Sequence, residues 1–350
     1  MASSAQKQSY PAPGLDTFPK LLQHNARMFT NKDAMREKEF GIWQSWTWSQ
    51  VADEVERFAL GLQANGVKAG DSVLIVGGNR PRTYWTMCAV QSLGAVPVPT
   101  YHDSVAEEMQ FVIEHSEARV IVAEDQEQVD KILEVEDRCP AVELVIFDDP
   151  RGMKGYDSEV IEIKDFVTVQ AQGEAVRAKQ PNQYQDLVSK GKGEDISIIL
   201  YTSGTTGKPK GVVLTYDNTL LTGYHGGLME GLTENEEILA YLPVAWIGDH
   251  IFSYAQSYSM GFCVNCPEST ETVAADMREI GPTYYFAPPR VFESLLTSVQ
   301  IRMEDAAPIK RKMFKYFMQV AKTTGIKLLE KKSVGIIDRV KYALGNVLVY

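Results

Sequence analysis

The chain has 350 residues, 44% of them hydrophobic, and a formal net charge of −11. This length allows a large core in one or two domains, and the acidic balance argues against nucleic acid as a partner. Four cysteines do not suggest a disulfide framework in a chain this long, so Cys263 and Cys266 are predicted to be reduced, structural thiols. No apolar run is long enough to span a membrane and the N-terminus lacks a secretion signal, so we expect a cytoplasmic protein.

The first part of the chain is predicted to contain a loose arm followed by small helical and hairpin elements. Residues 1–16 form the arm. The next predicted elements are an amphipathic helix over Phe18–Phe29, a hairpin over Ala34–Trp48, and a helix from an N-cap at Ser49 to about Gln63, with Gly66 as its C-cap glycine.

From Asp71 onward, short apolar strands alternate with helices. Strands are predicted at Ser72–Val76, Val96–Pro99, Arg119–Ala123 and Leu144–Phe147, with helices at Pro81–Leu93, Val105–His115 and Gln126–Cys139. This alternation predicts an α/β fold with a doubly wound, mostly parallel sheet. Residues 148–194 are predicted to be a polar excursion with one short strand at Glu159–Ile163. Later strands are predicted at Glu237–Tyr241, Phe262–Val264 and Thr283–Phe286, with helices near Asp249–Ser259, Thr272–Ile280 and Arg290–Met303.

An anion-binding loop is predicted between these two series. A β-branched strand, Ile196–Leu200, leads into the sequence TSGTTGKPKG at 202–211, and Thr215 and Asp217 are N-cap candidates for a helix that starts near Asn218. Glycines allow the backbone to approach a ligand closely, and the hydroxyl and ammonium groups suit phosphate oxygens. The residues predicted to contact phosphate are Thr202, Ser203, Gly204, Thr205, Thr206, Gly207, Lys208 and Lys210. The loop is not a Walker A motif, because no Gly-Lys-Ser/Thr closes it.

The segment 202–211 resembles the phosphate loop of the adenylate-forming superfamily, which includes acyl-CoA synthetases, firefly luciferase and peptide-synthetase adenylation domains. The segment from Gly281 to Glu293, GPTYYFAPPRVFE, is similar to one shared by long-chain fatty acyl-CoA synthetases and their bubblegum-type relatives. The resemblance implies a ligase that uses ATP, Mg²⁺ and coenzyme A. A fatty carboxylate would react with ATP to give acyl-AMP and pyrophosphate, and CoA would then displace AMP.

Three further residues are candidates for an acyl pocket. In the segment YLPVAWIGDH at 241–250, Trp246 stands where many long-chain members have His, and His250 follows four residues later. Tyr285 lies in the aromatic run at 284–286. Core packing is the alternative for Trp246 and Tyr285, and a structural role is the alternative for His250.

Residues 309–341 are predicted to form basic amphipathic helices. From Ile309 onward the chain carries ten Lys/Arg residues against two acidic ones. Such a segment is a candidate for peripheral contact with an anionic membrane, and a solvated helical face is the alternative.

Several parts that the resemblance implies are absent from the sequence. There is no Tyr-Gly-x-Thr-Glu segment, no aspartate motif for the ribose, and no C-terminal subdomain with its adenylation lysine. We therefore expect residues 17–350 to be an incomplete AMP-binding domain, the N-terminal portion of a longer synthetase, and the chain alone to be inactive. Catalytic residues are unassigned, and no metal ligand is predicted. The remaining alternatives are a medium-chain or aryl acid ligase, a carrier-protein thiol as acceptor, or a non-catalytic nucleotide- or acyl-binding fragment.

Overall fold

The computed structural model describes residues 11–202 and 209–349. The chain divides into two compact units, the first ending at Tyr285 and the second starting at Phe286. The strands, all in the first unit, are β1 Asp33–Glu39, β2 Ile42–Thr47, β3 Ser72–Val76, β4 Val96–Thr100, β5 Val120–Ala123, β6 Leu144–Phe147, β7 Glu162–Asp165, β8 Ile196–Thr202, β9 Lys210–Thr215, β10 Glu237–Leu239 and β11 Cys263–Cys266.

The helices of the first unit surround these strands. They are α1 Phe18–Met28, α2 Trp48–Ala64, α3 Pro81–Ser92, α4 Ala106–Ser116, α5 Gln126–Glu134, α6 Phe166–Lys179, α7 Gln183–Lys190, α8 Tyr216–Glu230, α9 Ile247–Asp249, α10 Gln256–Met260 and α11 Val273–Ile280. A 3₁₀ turn at Glu136–Arg138 follows α5, so the helix predicted to reach Cys139 ends earlier. A π-helical segment at His250–Ala255 joins α9 to α10.

The first unit contains a five-stranded sheet in the order β4-β3-β5-β6-β7, with every neighbouring pair parallel. Alternate residues of its strands enter two separate cores, as expected for a sheet covered on both faces. Val73 and Ile75 pack in the core that includes α2, α3 and α6, whereas Leu74 and Val76 pack in the core that includes α4 and α5. The predicted doubly wound α/β fold is confirmed.

A second sheet has the order β10-β11-β1-β2. Strands β1 and β2 are antiparallel, which confirms the predicted hairpin, and β11 pairs in parallel with both β1 and β10. Cys263 and Cys266 lie buried in β11 as free thiols, as predicted. Strands β8 and β9 form a separate antiparallel pair.

Helix α2 begins two residues earlier than the sequence indicates. Its N-cap is Thr47, not Ser49, because Thr47 and Gln50 form a reciprocal capping box: the Gln50 amide donates to the Thr47 hydroxyl, and the Thr47 amide donates to Gln50 Oε1 at 2.8 Å. The helix ends at Ala64, and Gly66 has the predicted left-handed conformation, with φ of 88°.

The polar excursion predicted at 148–194 contains two helices, α6 and α7, besides the short strand β7. Helix α6 lies so close to α2 that a Cβ atom at Gly173 would be 1.7 Å from the carbonyl oxygen of Arg57. The sequence prediction missed α6 because its glycine and glutamines resemble loop composition, although here the glycine permits helix contact.

The strand predicted at Thr283–Phe286 does not form. Gly281 takes a left-handed conformation, with φ of 59°, and Pro282 follows it, so the chain turns instead of extending. The Thr283 amide donates to the Glu237 carbonyl at 2.9 Å, but no strand ladder develops from this contact.

The second unit consists of helices α12 Pro289–Glu304, α13 Pro308–Val320, α14 Ile326–Leu329 and α15 Ile336–Leu348, with a π-helical segment at Ala321–Gly325. The amphipathic character predicted for this segment is only partly reflected in the packing of α13, because Phe317 is buried but Ile309 is 81% exposed. Within the described ranges, none of the helices is both long and apolar enough to cross a membrane.

Candidate functional site

The predicted phosphate loop joins the two strands of the β8–β9 hairpin. Thr202, the last residue of β8, pairs with Lys210, the first residue of β9, and both are exposed. The other predicted phosphate contacts, residues 203–208, lie outside the described residues. The sequence placed the loop between a strand and a helix. In the structure a second strand, β9, comes first and α8 follows it.

Local packing and capping fix the position of this hairpin. Ile198 and Leu200 of β8 are buried. Thr215, the last residue of β9, caps α8 in a capping box with Asn218, which confirms Thr215 as the N-cap and starts the helix at Tyr216. The two predicted contacts that the structure describes, Thr202 and Lys210, therefore stand side by side at the open end of a well-anchored strand pair.

Tyr201, the residue before Thr202, makes a hydrogen bond that the sequence prediction missed. The Tyr201 side chain is 6% exposed, and its hydroxyl lies 2.7 Å from Nδ1 of His115, in the last turn of α4. Since 86 residues separate the two, no local pattern signals their contact.

The structure places Trp246 and His250 one turn apart at the start of a helix. Trp246 is the N-cap of α9, and its carbonyl accepts from the His250 amide at 3.3 Å. The indole of Trp246 lies against Gly248, where an added Cβ would be 2.2 Å from the ring. A glycine is thus required for this close approach.

His250 lies within an aromatic core. Its ring stacks on Tyr254 at 5.1 Å between centroids and meets Phe18 edge-on at 5.8 Å. It is 1% exposed, and neither ring nitrogen has a hydrogen-bond partner among the described residues. Burial lowers the pKa of His250 to about 3, so the imidazole is neutral at physiological pH.

Asp249, beside His250, is a buried acid that the sequence prediction did not single out. Its Oδ2 accepts from the Tyr84 hydroxyl at 2.9 Å, and its Oδ1 accepts from Asn79 Nδ2 at 3.1 Å. Burial raises the pKa of Asp249 to about 7, despite these hydrogen bonds. The π-helical segment that follows is a feature often found at functional sites.

Tyr285, the third acyl-pocket candidate, stacks on Tyr241 with the ring centroids 5.4 Å apart. Burial raises the pKa of Tyr241 above its ordinary value. Both side chains are partly exposed, so this aromatic pair forms part of the surface of the first unit.

A charged crevice lies at the point of the parallel sheet where the order of the strands reverses. Successive connections run from β3 to β4 on one side and then back to β5 on the other, and ligands commonly bind at such switch points, beyond the carboxyl ends of the strands. The crevice has a volume of about 370 Å³. Its charged lining residues that follow the strand ends are Arg80, Arg82, Glu124, Asp148, Asp149 and Arg151, and β1 adds Glu37.

Several of the charged residues that line this crevice are paired with one another. Arg80 Nε donates to Glu124 at 2.9 Å, Arg82 pairs with Asp148, and the Gly78 amide donates to Glu124 at 2.6 Å. Glu37 makes a longer contact, 3.4 Å, with Arg80, and burial raises the pKa of Glu37 to about 7. The sequence did not reveal this crevice because its members come from segments that only the fold brings together.

Comparison with known proteins identifies relatives along most of the chain. The family model described as "AMP-binding enzyme" matches residues 22–331. The long-chain-fatty-acid–CoA ligase ACSBG1 of Rattus norvegicus is 27% identical over 304 residues, which is 83% of this chain and 40% of that protein. The long-chain-fatty-acid–CoA ligase FadD15 of Mycobacterium tuberculosis is 28% identical over 315 residues, covering 89% of this chain and 49% of that protein.

Solved structures share the fold. The adenylation domain of a carboxylate reductase from Mycobacterium chelonae aligns with a TM-score of 0.70 and 18% identity, over 85% of this chain and 50% of that one. A long-chain-fatty-acid–CoA ligase (FadD1) from Archaeoglobus fulgidus aligns with a TM-score of 0.67 and 20% identity, over 81% of this chain and 53% of that one. The chain spans about 40 to 50% of the length of the curated relatives described above. Because the family model covers most of its residues, the chain belongs to the family of AMP-binding enzymes.

Proposed function

We propose that the chain is the N-terminal portion of an ATP-dependent long-chain fatty acid–CoA ligase and that residues 202–210 bind the phosphates of ATP. The observation that carries the proposal is the β8–β9 hairpin, which sets Thr202 and Lys210 at the two ends of a Gly-, Thr- and Lys-rich connection. The family supports an adenylate-forming reaction, and the names of the relatives support a fatty acid as the carboxylate and CoA as the acceptor.

The residues of the loop suit a role in charge stabilisation. Hydroxyl groups and backbone amides donate to phosphate oxygens, and the ammonium groups of Lys208 and Lys210 offset the charge of the departing pyrophosphate. Phosphoryl chemistry of this kind depends mainly on positioning and electrostatics. Mg²⁺ would enter with the triphosphate and neutralise part of its charge. Trp246, His250 and Tyr285 remain our candidates for the acyl side.

Two other functions remain as alternatives within the same family. The aromatic pair of Tyr241 and Tyr285 would also suit a medium-chain or aryl acid, and a carrier-protein thiol could replace CoA. A nucleotide- or acyl-binding fragment without catalysis is the other alternative. Since the chain spans about 40 to 50% of the length of these relatives, residues 17–350 are proposed to be an incomplete domain that is inactive alone.

Pyrophosphate release with a panel of carboxylic acids tests the proposed reaction. The assay compares the 350-residue chain with the form isolated from its native source. We expect the chain to bind Mg·ATP without releasing pyrophosphate, and a longer native form to release it fastest with long-chain acids. A Thr205→Ala/Lys208→Ala double change should abolish Mg·ATP binding by the chain and pyrophosphate release by the longer form, since it removes a hydrogen-bond donor and a positive charge from the loop. Unchanged nucleotide binding by that variant would refute the site, and a preference for aryl acids would refute the substrate.

The proposal includes a cytoplasmic location with peripheral contact between residues 309–341 and anionic membranes. Within this segment Ile309, Leu329, Ile336 and Ile337 are each more than 70% exposed, among ten cationic side chains. Exposed apolar groups flanked by cations favour anionic bilayer surfaces.

Vesicle sedimentation tests this contact. The chain should bind vesicles that contain phosphatidylglycerol more strongly than pure phosphatidylcholine ones, and added salt should weaken the binding. An Ile336→Asp/Ile337→Asp variant should lose most of it. Met229→Asp, at an 81% exposed position of α8, is the matched control. Equal sedimentation of all three proteins would refute a specific role for this segment.

A further inference from the structure

A buried hydrogen bond lies directly below the open end of the β8–β9 hairpin. The Tyr201 hydroxyl and Nδ1 of His115 are 2.7 Å apart, and the two rings meet edge-on with centroids 5.6 Å apart. In the tautomer that carries its proton on Nε2, Nδ1 accepts from the hydroxyl. The hydroxyl therefore has a partner at a position where water is largely excluded.

The β8–β9 hairpin has a glycine opposite Tyr201, which leaves space for the tyrosine ring. Tyr201 pairs with Gly211 on β9, one position below the Thr202–Lys210 pair. An added Cβ at Gly211 would be 3.3 Å from Tyr201 Cζ and 3.1 Å from Ile199 Cγ2, so a side chain would crowd both neighbours. The glycine thus leaves room for the tyrosine ring between the strand pair and α4.

His115 is itself held in a fixed place. Its ring stacks on Phe111 at 5.4 Å, one turn earlier in α4. Helix α4 packs on the parallel sheet through Met109, Val112 and Ile113, all of which are buried. Tyr201 belongs to the same core. The hydrogen bond consequently connects the strand that ends at Thr202 to the rigid layer of the first unit.

We infer that His115 and Tyr201 are positioning residues for the nucleotide-phosphate site: they hold the base of the hairpin so that the paired Thr202 and Lys210 are presented at a fixed position relative to α4 and the parallel sheet. The inference rests on the proposed function because its ligand is the triphosphate of ATP. The geometry of the His115–Tyr201 pair does not depend on that function. A donor held in place before binding loses less conformational entropy when the ligand arrives. Neither residue touches phosphate in this account, and both act through β8.

The first experiment requires no nucleotide. In the full chain, Tyr201→Phe removes only the hydroxyl, and His115→Phe keeps a ring beside Phe111 but removes the nitrogen. Hydrogen exchange followed by mass spectrometry should show amides of β8 and β9 exchanging about 3- to 10-fold faster in both variants, as expected for loss of one hydrogen bond. Exchange in β3 and β5 should not change. Tyr156→Phe, which removes a hydroxyl bonded to Asp130 at 2.6 Å, is the matched control.

The second experiment measures Mg·ATP binding by the same proteins. We expect the dissociation constant to rise about 3- to 10-fold in each single variant, and no further in the double variant, because both changes remove one shared interaction. The Tyr156→Phe control should bind like the wild type.

The outcomes separate the inference from the proposed function. Unchanged exchange in β8 and β9 overturns the inference whatever the nucleotide result. Faster local exchange with unchanged ATP affinity also overturns it, while leaving the phosphate site in place. If the wild-type chain fails to bind Mg·ATP, the proposed function is refuted, and the exchange data alone decide whether the pair holds the hairpin.

Discussion

Burial controls the ionisation of two neighbouring residues, Asp249 and His250. His250 and Asp249 are adjacent, and both were visible in the motif at 241–250. Burial lowers the pKa of His250 and raises that of Asp249, so at mildly acidic pH burial favours the neutral form of both. The sequence indicated an aromatic segment of interest, but which residues enter the core depends on packing between distant elements such as α1 and α3.

The first prediction concerns the pH dependence that Asp249 imposes. Its pKa is about 7 in the folded chain and near 4 when unfolded, so between these values the folded state holds the extra proton. Stability therefore falls as pH rises from about 4 to 7, and the loss is complete above pH 7. Asp249→Asn retains an oxygen that accepts from Tyr84, and it should stabilise the chain by roughly 2–4 kcal/mol at pH 8.

Urea denaturation at several pH values checks this expectation. The difference between variant and wild type should shrink as pH falls from 7 toward 4 and be lost below about pH 3, where the carboxyl group is neutral in both states. Asp103→Asn, at an exposed loop position, should show no such trend. If Asp249→Asn were no more stable than the wild type at pH 8, the free-energy cost assigned to ionising Asp249 would be contradicted.

At the scale of secondary-structure elements, the sequence predicted the strands and helices that have a strong hydrophobic periodicity or a clear capping residue. Strands β3 to β6 appear close to their predicted bounds because each is a short, mainly apolar and buried run, whereas the more polar β7 begins three residues later than predicted. Helix α6 was missed because its close contact with α2 depends on a glycine, Gly173, which resembles loop composition in the sequence. The strand predicted at Thr283–Phe286 was wrong because Gly281 and Pro282 outweigh the aromatic run.

The second prediction tests the contact between α2 and α6. Gly173→Ala would place a methyl group 1.7 Å from the Arg57 carbonyl oxygen, and neither helix backbone can move without disturbing the core around Phe58 and Phe166, whose rings stack at 3.8 Å. Overpacking of this kind costs typically 1–3 kcal/mol or more, which exceeds the gain of about 1 kcal/mol from helix propensity. Thermal unfolding should show a lower melting temperature.

A matched substitution in another helix provides the control. Gly226→Ala in α8 brings the new methyl group near only the side-chain nitrogen of Gln256, at 3.2 Å. Its effect should be within about 1 kcal/mol of zero. If Gly173→Ala were tolerated as well as Gly226→Ala, the close packing of α2 against α6 would be incorrect.

At the scale of the whole molecule, the two units differ in how many residues they bury. Both cores of the first unit are made of residues that precede Phe286. In the second unit only four of the described residues are buried, namely Ala287, Phe317, Thr324 and Gly345. The sequence predicted amphipathic helices here, but amphipathicity alone could not indicate how much of the apolar face would be covered.

The third prediction is that the second unit opens far more readily than the first. Helices gain most of their stability from packing an apolar face, and α15 leaves Ile336, Ile337 and Val347 each more than 70% exposed. In the intact chain, amides of α12 to α15 should therefore exchange with solvent at least about 100-fold faster than those of β3 and β5, which corresponds to a difference in opening free energy of about 3 kcal/mol. Hydrogen exchange with peptide-level mass spectrometry measures both regions in one sample, and helix α8, which buries one face in the core of the first unit, serves as an internal reference. Equal protection of α15 and β3 would show that the second unit is stabilised by packing beyond its four buried residues.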